Sequence, residues 1–298
     1  MAKSTRQAKR RAGEAGRAGS FTHALATFDG FLLADCDPRS TPGYDGDKAA
    51  GAELMAATAP ELADLQEQLY AESKVGGKAA VLLVVQGMDT SGKGGVLRDT
   101  VGLVDPQGVK ITSFKAPTDE ERTHRFLWRI RNAVPQPGYV GVFDRSHYED
   151  VLIVRVHGLA EPETIESRYD QINEFEAELA TEGVVIVKCM LHVSAEEQRA
   201  RLLSRLDNED KYWKFNPSDV DERARWSDYR TAYEIALERT NTVVAPWYVV
   251  PSDKKWYRNL VIGGLLLDHL RAMALRWPPP DFDVEEQRRR LLDEVPVT

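Results

Sequence analysis

The run Lys78-Ala-Ala-Val-Leu-Leu-Val-Val-Gln86 ends directly in Gly87-Met-Asp-Thr-Ser-Gly-Lys93. A short, continuous apolar run rich in Val and Leu suits a strand buried on both faces, as strands inside a parallel sheet are. The segment after it matches G-x-x-x-x-G-K, and a helical pattern runs on from Gly92 to about Leu103, so the turn joins a strand to a helix. Such a turn captures anions. Small residues let backbone N–H groups converge on phosphate oxygens, the helix start contributes its dipole, and Lys93 brings a mobile positive charge. Gly87, Thr90, Ser91, Gly92, Gly94 and Gly95 join Lys93 as candidate phosphate-binding residues.

Two departures from the common motif carry information. The residue after the lysine is Gly94, so the hydroxyl that ordinarily ligates Mg²⁺ in such loops is missing. Asp89 places a carboxylate inside the loop, where it would repel phosphates unless a divalent cation came with them. Fifty-one residues beyond Lys93, the predicted strand Tyr139 to Phe143 ends in Asp144-Arg145-Ser-His-Tyr-Glu-Asp150. The carboxyl ends of parallel strands are where ligands bind in open α/β sheets. Asp144 there suits a second metal-facing carboxylate, and Arg145 suits neutralisation of a phosphoryl group in transit. His147 is expected to be a packed or hydrogen-bonded histidine, because no metal-ligand partner lies at suitable spacing.

The alternation of apolar runs and helical patterns sets the fold class. Strands are expected near Val109 to Phe114, at Tyr139 to Phe143, at Val184 to His192 and ending at Val249-Val250. Helices are expected from Thr118 with Glu121 as its capping-box partner, over Pro162 to Thr181, after Ser194 with Glu197, and from Ser252 to about Leu275. With the first strand this makes five, which implies an α/β, doubly wound, mostly parallel five-stranded sheet with helices on both faces. Residues 1–20 read as a disordered basic tail, 21–75 as a partly helical extension with a helix over Ala52 to Ser73, 76–275 as the phosphate-binding domain, and 276–298 as a C-terminal tail after Pro278-Pro-Pro280.

Charge and composition narrow the partners. The net charge is −8, but residues 1–20 carry six basic groups against Glu14, or +5, leaving −13 on the remainder. An acidic body does not bind nucleic acid through its overall field, so a polyanion must be held in a local basic groove. The longest apolar runs, Ala79 to Val85 and Leu260 to Leu267, fall well short of the roughly 20 residues that span a bilayer. Cys36 and Cys189 suggest no disulfide framework, which favours a reducing cytoplasm. A neutral but charge-rich stretch, residues 201–230, carries seven basic and seven acidic groups among Trp213, Phe215 and Trp226. It suits a helical lid over about 203–235, with Arg205, Lys211 and Lys214 facing phosphates. Lys115, after the second strand, is a further phosphate candidate. Arg125 and Arg129, at i and i+4 on one helical face, are candidates for the acceptor side.

These residues together resemble the polyphosphate kinase 2 family over roughly residues 50–275. The resemblance rests on Gly87-Met-Asp-Thr-Ser-Gly-Lys-Gly-Gly95, Ser113-Phe-Lys-Ala-Pro-Thr118, Phe143-Asp-Arg-Ser-His-Tyr-Glu-Asp-Val-Leu152, Lys211-Tyr-Trp-Lys-Phe215, and Ala245-Pro-Trp247 before Lys254-Lys255. It implies a P-loop kinase fold of the thymidylate-kinase type. It also implies a transfer centre of Asp89, Lys93, Asp144 and Arg145 with Mg²⁺, for which Mn²⁺ can substitute, held by Asp89 and Asp144. The donor implied is inorganic polyphosphate. Tyr148-Glu-Asp-Val-Leu152 is similar to subgroups that accept nucleoside monophosphates, so AMP is the first acceptor, ADP the second, and Tyr148 an acceptor-side residue. Homo-oligomeric assembly follows from the same resemblance. Two other functions are compatible with the residues: an ATP-dependent nucleotide or nucleoside kinase on the same scaffold, and a polyphosphate-binding protein without turnover.

Overall fold

The computed structural model describes residues 21–28 and 30–294; the basic tail expected over residues 1–20 lies outside them, as do the last four residues. A short helix α1 (Phe21–Leu25) precedes the long helix α2 (Lys48–Lys74), which starts earlier than expected because the Asp47 side chain accepts from Ala50 N. Then come β1 (Ala80–Gln86), α3 (Lys93–Asp99), β2 (Val109–Ser113), α4 (Asp119–Arg122), α5 (Trp128–Ala133) and β3 (Val140–Asp144). The second half holds α6 (Ile153–Val156), α7 (Pro162–Thr181), β4 (Val184–His192), α8 (Ala195–Leu206), α9 (Ser218–Arg223), α10 (Trp226–Arg239), β5 (Trp247–Pro251), α11 (Lys255–Ala272) and α12 (Val284–Leu292).

The sheet has the order β2-β3-β1-β4-β5 and every pairing is parallel. All seven residues of β1 are buried, as its unbroken apolar sequence requires of a central strand. Its alternate side chains feed two cores. Val81, Leu83 and Val85 pack with Leu62 and Leu69 of α2, Val96 of α3 and the apolar face of α11, while Leu82 and Val84 pack with Ile130, Ile172, Phe175 and Ala236 on the opposite face. Because β1 lies between β3 and β4, the loops leaving β1 and β3 emerge side by side at the carboxyl edge of the sheet.

Three expected elements differ in the structure. Thr118 and Glu121 form the reciprocal capping box, but the helix stops at Arg122. The Thr123 hydroxyl then donates to Glu120 O, and Phe126 and Leu127 pack on the core before α5 begins. Arg125 and Arg129 therefore do not share one helix. Ser252 does not open α11: it is buried, its hydroxyl donates to Val250 O, and the helix starts at Lys255. The tail after the three prolines contains α12, capped by Asp283.

Beneath the β3 loop lies a buried ionic cluster. Lys188 Nζ donates to Glu176 Oε2 (2.6 Å), Tyr148 Oη (2.9 Å) and Thr240 O (2.7 Å). Glu176 Oε1 also meets His147 Nε2 (3.1 Å) and accepts from the Tyr148 hydroxyl (2.8 Å). Burial alone would raise the Glu176 pKa, but the charge of Lys188 and the His147 contact hold it below the ordinary glutamate value. Lys188→Met, which strands a buried carboxylate, is expected to cost about 3–5 kcal/mol in denaturant unfolding, and Lys188→Met with Glu176→Leu to recover most of that loss.

Candidate active site

The loop from Gly87 to Gly92 needs glycine at both ends. Gly87 has φ +151°, and a Cβ there would lie 2.7 Å from Ser91 Oγ and 2.8 Å from Leu191 O; Gly92 has φ +114°, and a Cβ there would collide with the Arg258 guanidinium. Inside the loop Thr90 adopts φ +59°, and Arg145, the first residue after β3, adopts φ +63°. Only one other non-glycine residue among those described, Ala274, has positive φ. Backbone strain of this kind gathers at ligand sites because the surrounding packing must hold it.

The loop is held from behind. Gln198 Nε2 donates to Asp89 O (2.9 Å), and Arg201 Nη1 donates to Thr90 O and Ser91 O (2.9 Å each). The other arm of Arg201 reaches Ser252 O (2.6 Å) and Asp253 O (3.1 Å), and Arg258 Nη1 reaches Ser91 O (3.3 Å). Arg258 is buried, and that burial, with the nearby charge of Arg201, lowers its pKa to about 10. The Thr90 and Ser91 hydroxyls are buried and without a hydrogen-bond partner, an unmet capacity of the kind that phosphate oxygens satisfy.

The charged groups converge across the two loops. Val85 of β1 is in register with Asp144 of β3, and Arg145 N donates to Val85 O (3.2 Å), so the β3 loop begins beside the phosphate loop. Arg145 Nη2 pairs with Asp89 Oδ1 at 3.0 Å, both side chains remaining partly exposed. Lys93 Nζ folds back onto Gly87 O (2.8 Å). Desolvation depresses the Lys93 pKa, opposed by Asp89, Asp144 and Glu149, with Arg145 adding to the fall. Asp144 rests near Ser113 Oγ at 3.5 Å. Asp89 and Asp144 are hard oxygen donors, and Mg²⁺ is commonly held by one or two carboxylates together with substrate phosphates. That donor set therefore fits Mg²⁺ arriving with a polyanion. No group of three or more His, Cys, Asp or Glu poised to hold a metal occurs among the described residues. A Cβ at Gly94 would meet nothing within 4 Å, so the missing hydroxyl is not a matter of space.

A cavity of about 200 Å³ opens beside Asp89 and Arg145. Its floor is Gly87, Met88 and Glu149, and its roof is Asn216, Asp219 and Glu222, with Trp226, Tyr229 and Tyr233 of α10 as a wall. Burial raises the Glu149 pKa, with Arg145 and Lys93 pulling it down. The Gln86 amide, oriented so that its oxygen accepts from Ser146 N, donates to Glu149 Oε1 (3.1 Å).

The matching family is Polyphosphate kinase 2 (PPK2), over residues 45–277. The chain belongs to that family. A similar relative, an AMP/ADP-polyphosphate phosphotransferase of Meiothermus ruber, is 44% identical over 256 residues, covering 86% of this chain and 94% of its own. An ADP-polyphosphate phosphotransferase of Rhodopseudomonas palustris is 40% identical over 238 residues, covering 76% of this chain and 81% of its own. The crystal structure of a polyphosphate kinase 2 from Arthrobacter aurescens superposes with a TM-score of 0.91 at 52% identity, covering 93% of this chain and 98% of that one. The P-loop kinase fold is thus the family's.

The predicted residues fare unevenly. Asp89, Lys93, Asp144, Arg145 and the loop from Gly87 to Gly95 assemble at one edge, and Lys115 lies exposed two residues beyond Ser113, the register partner of Asp144. Lys211 and Lys214 are exposed on the turn Glu209–Lys214. Lys211 stands near enough to Lys255 to help burial and Arg201 depress its pKa. Four candidates have other surroundings than expected. Tyr148 is fully buried and spends its hydroxyl on Glu176, so it does not face a nucleotide. Arg129 is buried, donating to Lys115 O (2.8 Å) and lying near Glu121 and Asp150. Arg125 lines a separate flank cavity with Trp128 and Phe175 that no loop residue reaches. Arg205 ties its own helix to the turn and helix that follow, through Lys214 O (2.8 Å) and Asp219 (3.3 Å). Sequence reasoning did not single out Gln198, Arg258, Tyr229 or Tyr233, noted Trp226 only among the aromatics of residues 201–230, and counted Arg201 only among the charges of that stretch. No motif spacing marks them. Gly92→Ala is expected to cost about 1–3 kcal/mol from its left-handed backbone, while Gly94→Ser stays within about 0.5 kcal/mol of the parent, both read from thermal unfolding.

Proposed function

We propose that the chain transfers the terminal phosphoryl group of inorganic polyphosphate to AMP, and secondarily to ADP. The observation that carries this reading is the convergence of Asp89, Lys93 and Arg145 on one anion-accepting loop in a chain so similar to an AMP/ADP-polyphosphate phosphotransferase. The terminal bridging P–O bond of the donor breaks, the bridging oxygen leaves with the shortened polymer, and a new P–O bond forms to a phosphate oxygen of the nucleotide. That acceptor oxygen is already anionic near neutral pH, so no dedicated general base is required and positioning with charge neutralisation supplies the rate.

The groups of the chain divide this work. The loop amides and Lys93 hold the terminal phosphate, and Lys211, Lys214 and Lys115 extend the positive surface for the polymer. Arg145, exchanging Asp89 for substrate, neutralises the phosphoryl group in transit. Asp89 and Asp144 would hold Mg²⁺, which would supply screening of charge on the phosphates. The roof of the cavity excludes the water that would hydrolyse the donor. Homo-oligomeric assembly and a cytoplasmic location belong to the same reading, supported by the family resemblance and by two unpaired cysteines; among the described residues no helix is long and apolar enough to cross a membrane.

The test is direct. Purified protein with Mg²⁺ and AMP should form ADP with polyphosphate as donor, and formation only with ATP would assign it to the ATP-dependent kinases. Asp89→Asn or Lys93→Ala should lose at least about 100-fold in turnover with the fold intact. Tight, salt-sensitive polyphosphate binding without any product would instead indicate a non-catalytic binding protein.

A further inference from the structure

The same helix that backs the phosphate loop also holds the roof. Gln198, 4% exposed on α8, donates through Nε2 to Asp89 O at 2.9 Å and accepts through Oε1 from Arg223 Nη1 at 2.6 Å. Arg223 is the last residue of α9, and its guanidinium also donates to Ala195 O (3.1 Å) at the start of α8. The Gln198 amide has one possible orientation. A guanidinium can only donate and a peptide carbonyl can only accept, so the amide oxygen must face Arg223 and its nitrogen must face Asp89. The other side of α9 is tied to the opposite wall: Glu222 accepts from the Tyr229 hydroxyl (2.6 Å) and meets His157 Nε2 (3.0 Å). The cavity beneath, about 200 Å³, is smaller than the roughly 300–1,000 Å³ of ordinary ligand pockets, which suits a roof that lifts to admit a ligand and docks again over it.

We propose that Gln198 is a positioning residue through which docking of α9 is transmitted to the Asp89 peptide. When α9 is docked, Arg223 fixes the Gln198 amide, which fixes the Asp89 carbonyl and with it the loop that carries the Asp89 carboxylate. When α9 lifts, Gln198 loses its fixed acceptor side, its amide is free to rotate, and the Asp89 peptide is no longer locked. The transfer centre is completed only under a closed roof, which couples assembly of the site to exclusion of water. Arg201, one turn further along α8, holds Thr90 O and Ser91 O without touching α9, so the coupling runs through Gln198 alone of the two. The proposal rests on the role of Asp89 given above.

Two substitutions cut the relay at different points. Gln198→Glu keeps an acceptor for Arg223 but sets an oxygen against Asp89 O, so it severs the loop side and spares the roof side. Arg223→Met severs the roof side and spares the loop contact. In assays with polyphosphate, AMP and Mg²⁺, each is expected to lower kcat about tenfold, the worth of about one hydrogen bond, with both KM values within about twofold. Gln198→Leu with Arg223→Met should be no slower than Gln198→Leu alone, as residues acting in one chain are not additive. Without substrate, amide hydrogen exchange across residues 88–92 should rise in Gln198→Glu and Arg223→Met by more than it rises across the central strand β1. A wild-type kcat in Gln198→Glu, losses that multiply in the double variant, losses confined to KM, or unchanged exchange would each overturn the proposal. Because exchange needs no substrate, it separates this failure from failure of the assigned reaction, which shows as a parent protein that makes no ADP from polyphosphate.

Discussion

The parallel pairing of β1 with β3 is the contact on which the site depends. The two strands are not consecutive, yet Val85 stands in register with Asp144, and Arg145 N continues the ladder to Val85 O. That pairing places a glycine-rich anion loop and an Asp-Arg pair at one edge, where their side chains meet between Asp89 and Arg145. A slip of one residue would turn Asp144 to the other face of the sheet, because side chains alternate along a strand. Two buried faces of β1 prevent it, since each already holds its own apolar core.

Around that pairing the structure uses polar groups in two distinct ways. Behind the phosphate loop, Gln198, Arg201 and Arg258 give donors to backbone carbonyls, which orients the peptides without placing any of these side chains on a substrate. In front, Asp89, Lys93, Asp144 and Arg145 remain partly open to solvent and are paired only with one another or with loop and neighbouring polar atoms. The difference is one of burial. A buried guanidinium with several carbonyl partners is satisfied and fixed, whereas a half-exposed pair such as Asp89 with Arg145 can exchange its partner for phosphate at small cost. The Lys188–Glu176 cluster extends the first use beneath the β3 loop, anchoring His147 and Tyr148 so that the preceding Asp144 and Arg145 have a firm base.

Much of this was legible in the chain. The central strand announced itself because a strand buried on both faces must be apolar throughout. The phosphate loop was legible because its chemistry requires glycine where backbone approaches an anion and lysine at the helix start. The cap residues Thr118 and Ser194 were legible for the same local reason. The failures share a cause. Tyr148, Arg129 and Arg205 are residue types that bind nucleotides and phosphates, but the same hydroxyl and guanidinium groups also close hydrogen bonds inside a protein, and spacing along the chain does not reveal which partner is nearer. Arg125 was misplaced because the helix broke at Thr123, where packing of Phe126 and Leu127 overrode the helical pattern.

The sequence by itself determined what local chemistry and periodicity dictate: the alternation of strands and helices, the anion loop with its unusual carboxylate, and the Asp-Arg pair at a strand end. Only the tertiary structure decided which of the many charged groups face the cavity and which brace it. That choice depends on distances between residues more than a hundred positions apart, such as Gln198 to Asp89 and Arg201 to Thr90, and burial settles whether a charge is free to meet a ligand or is already satisfied.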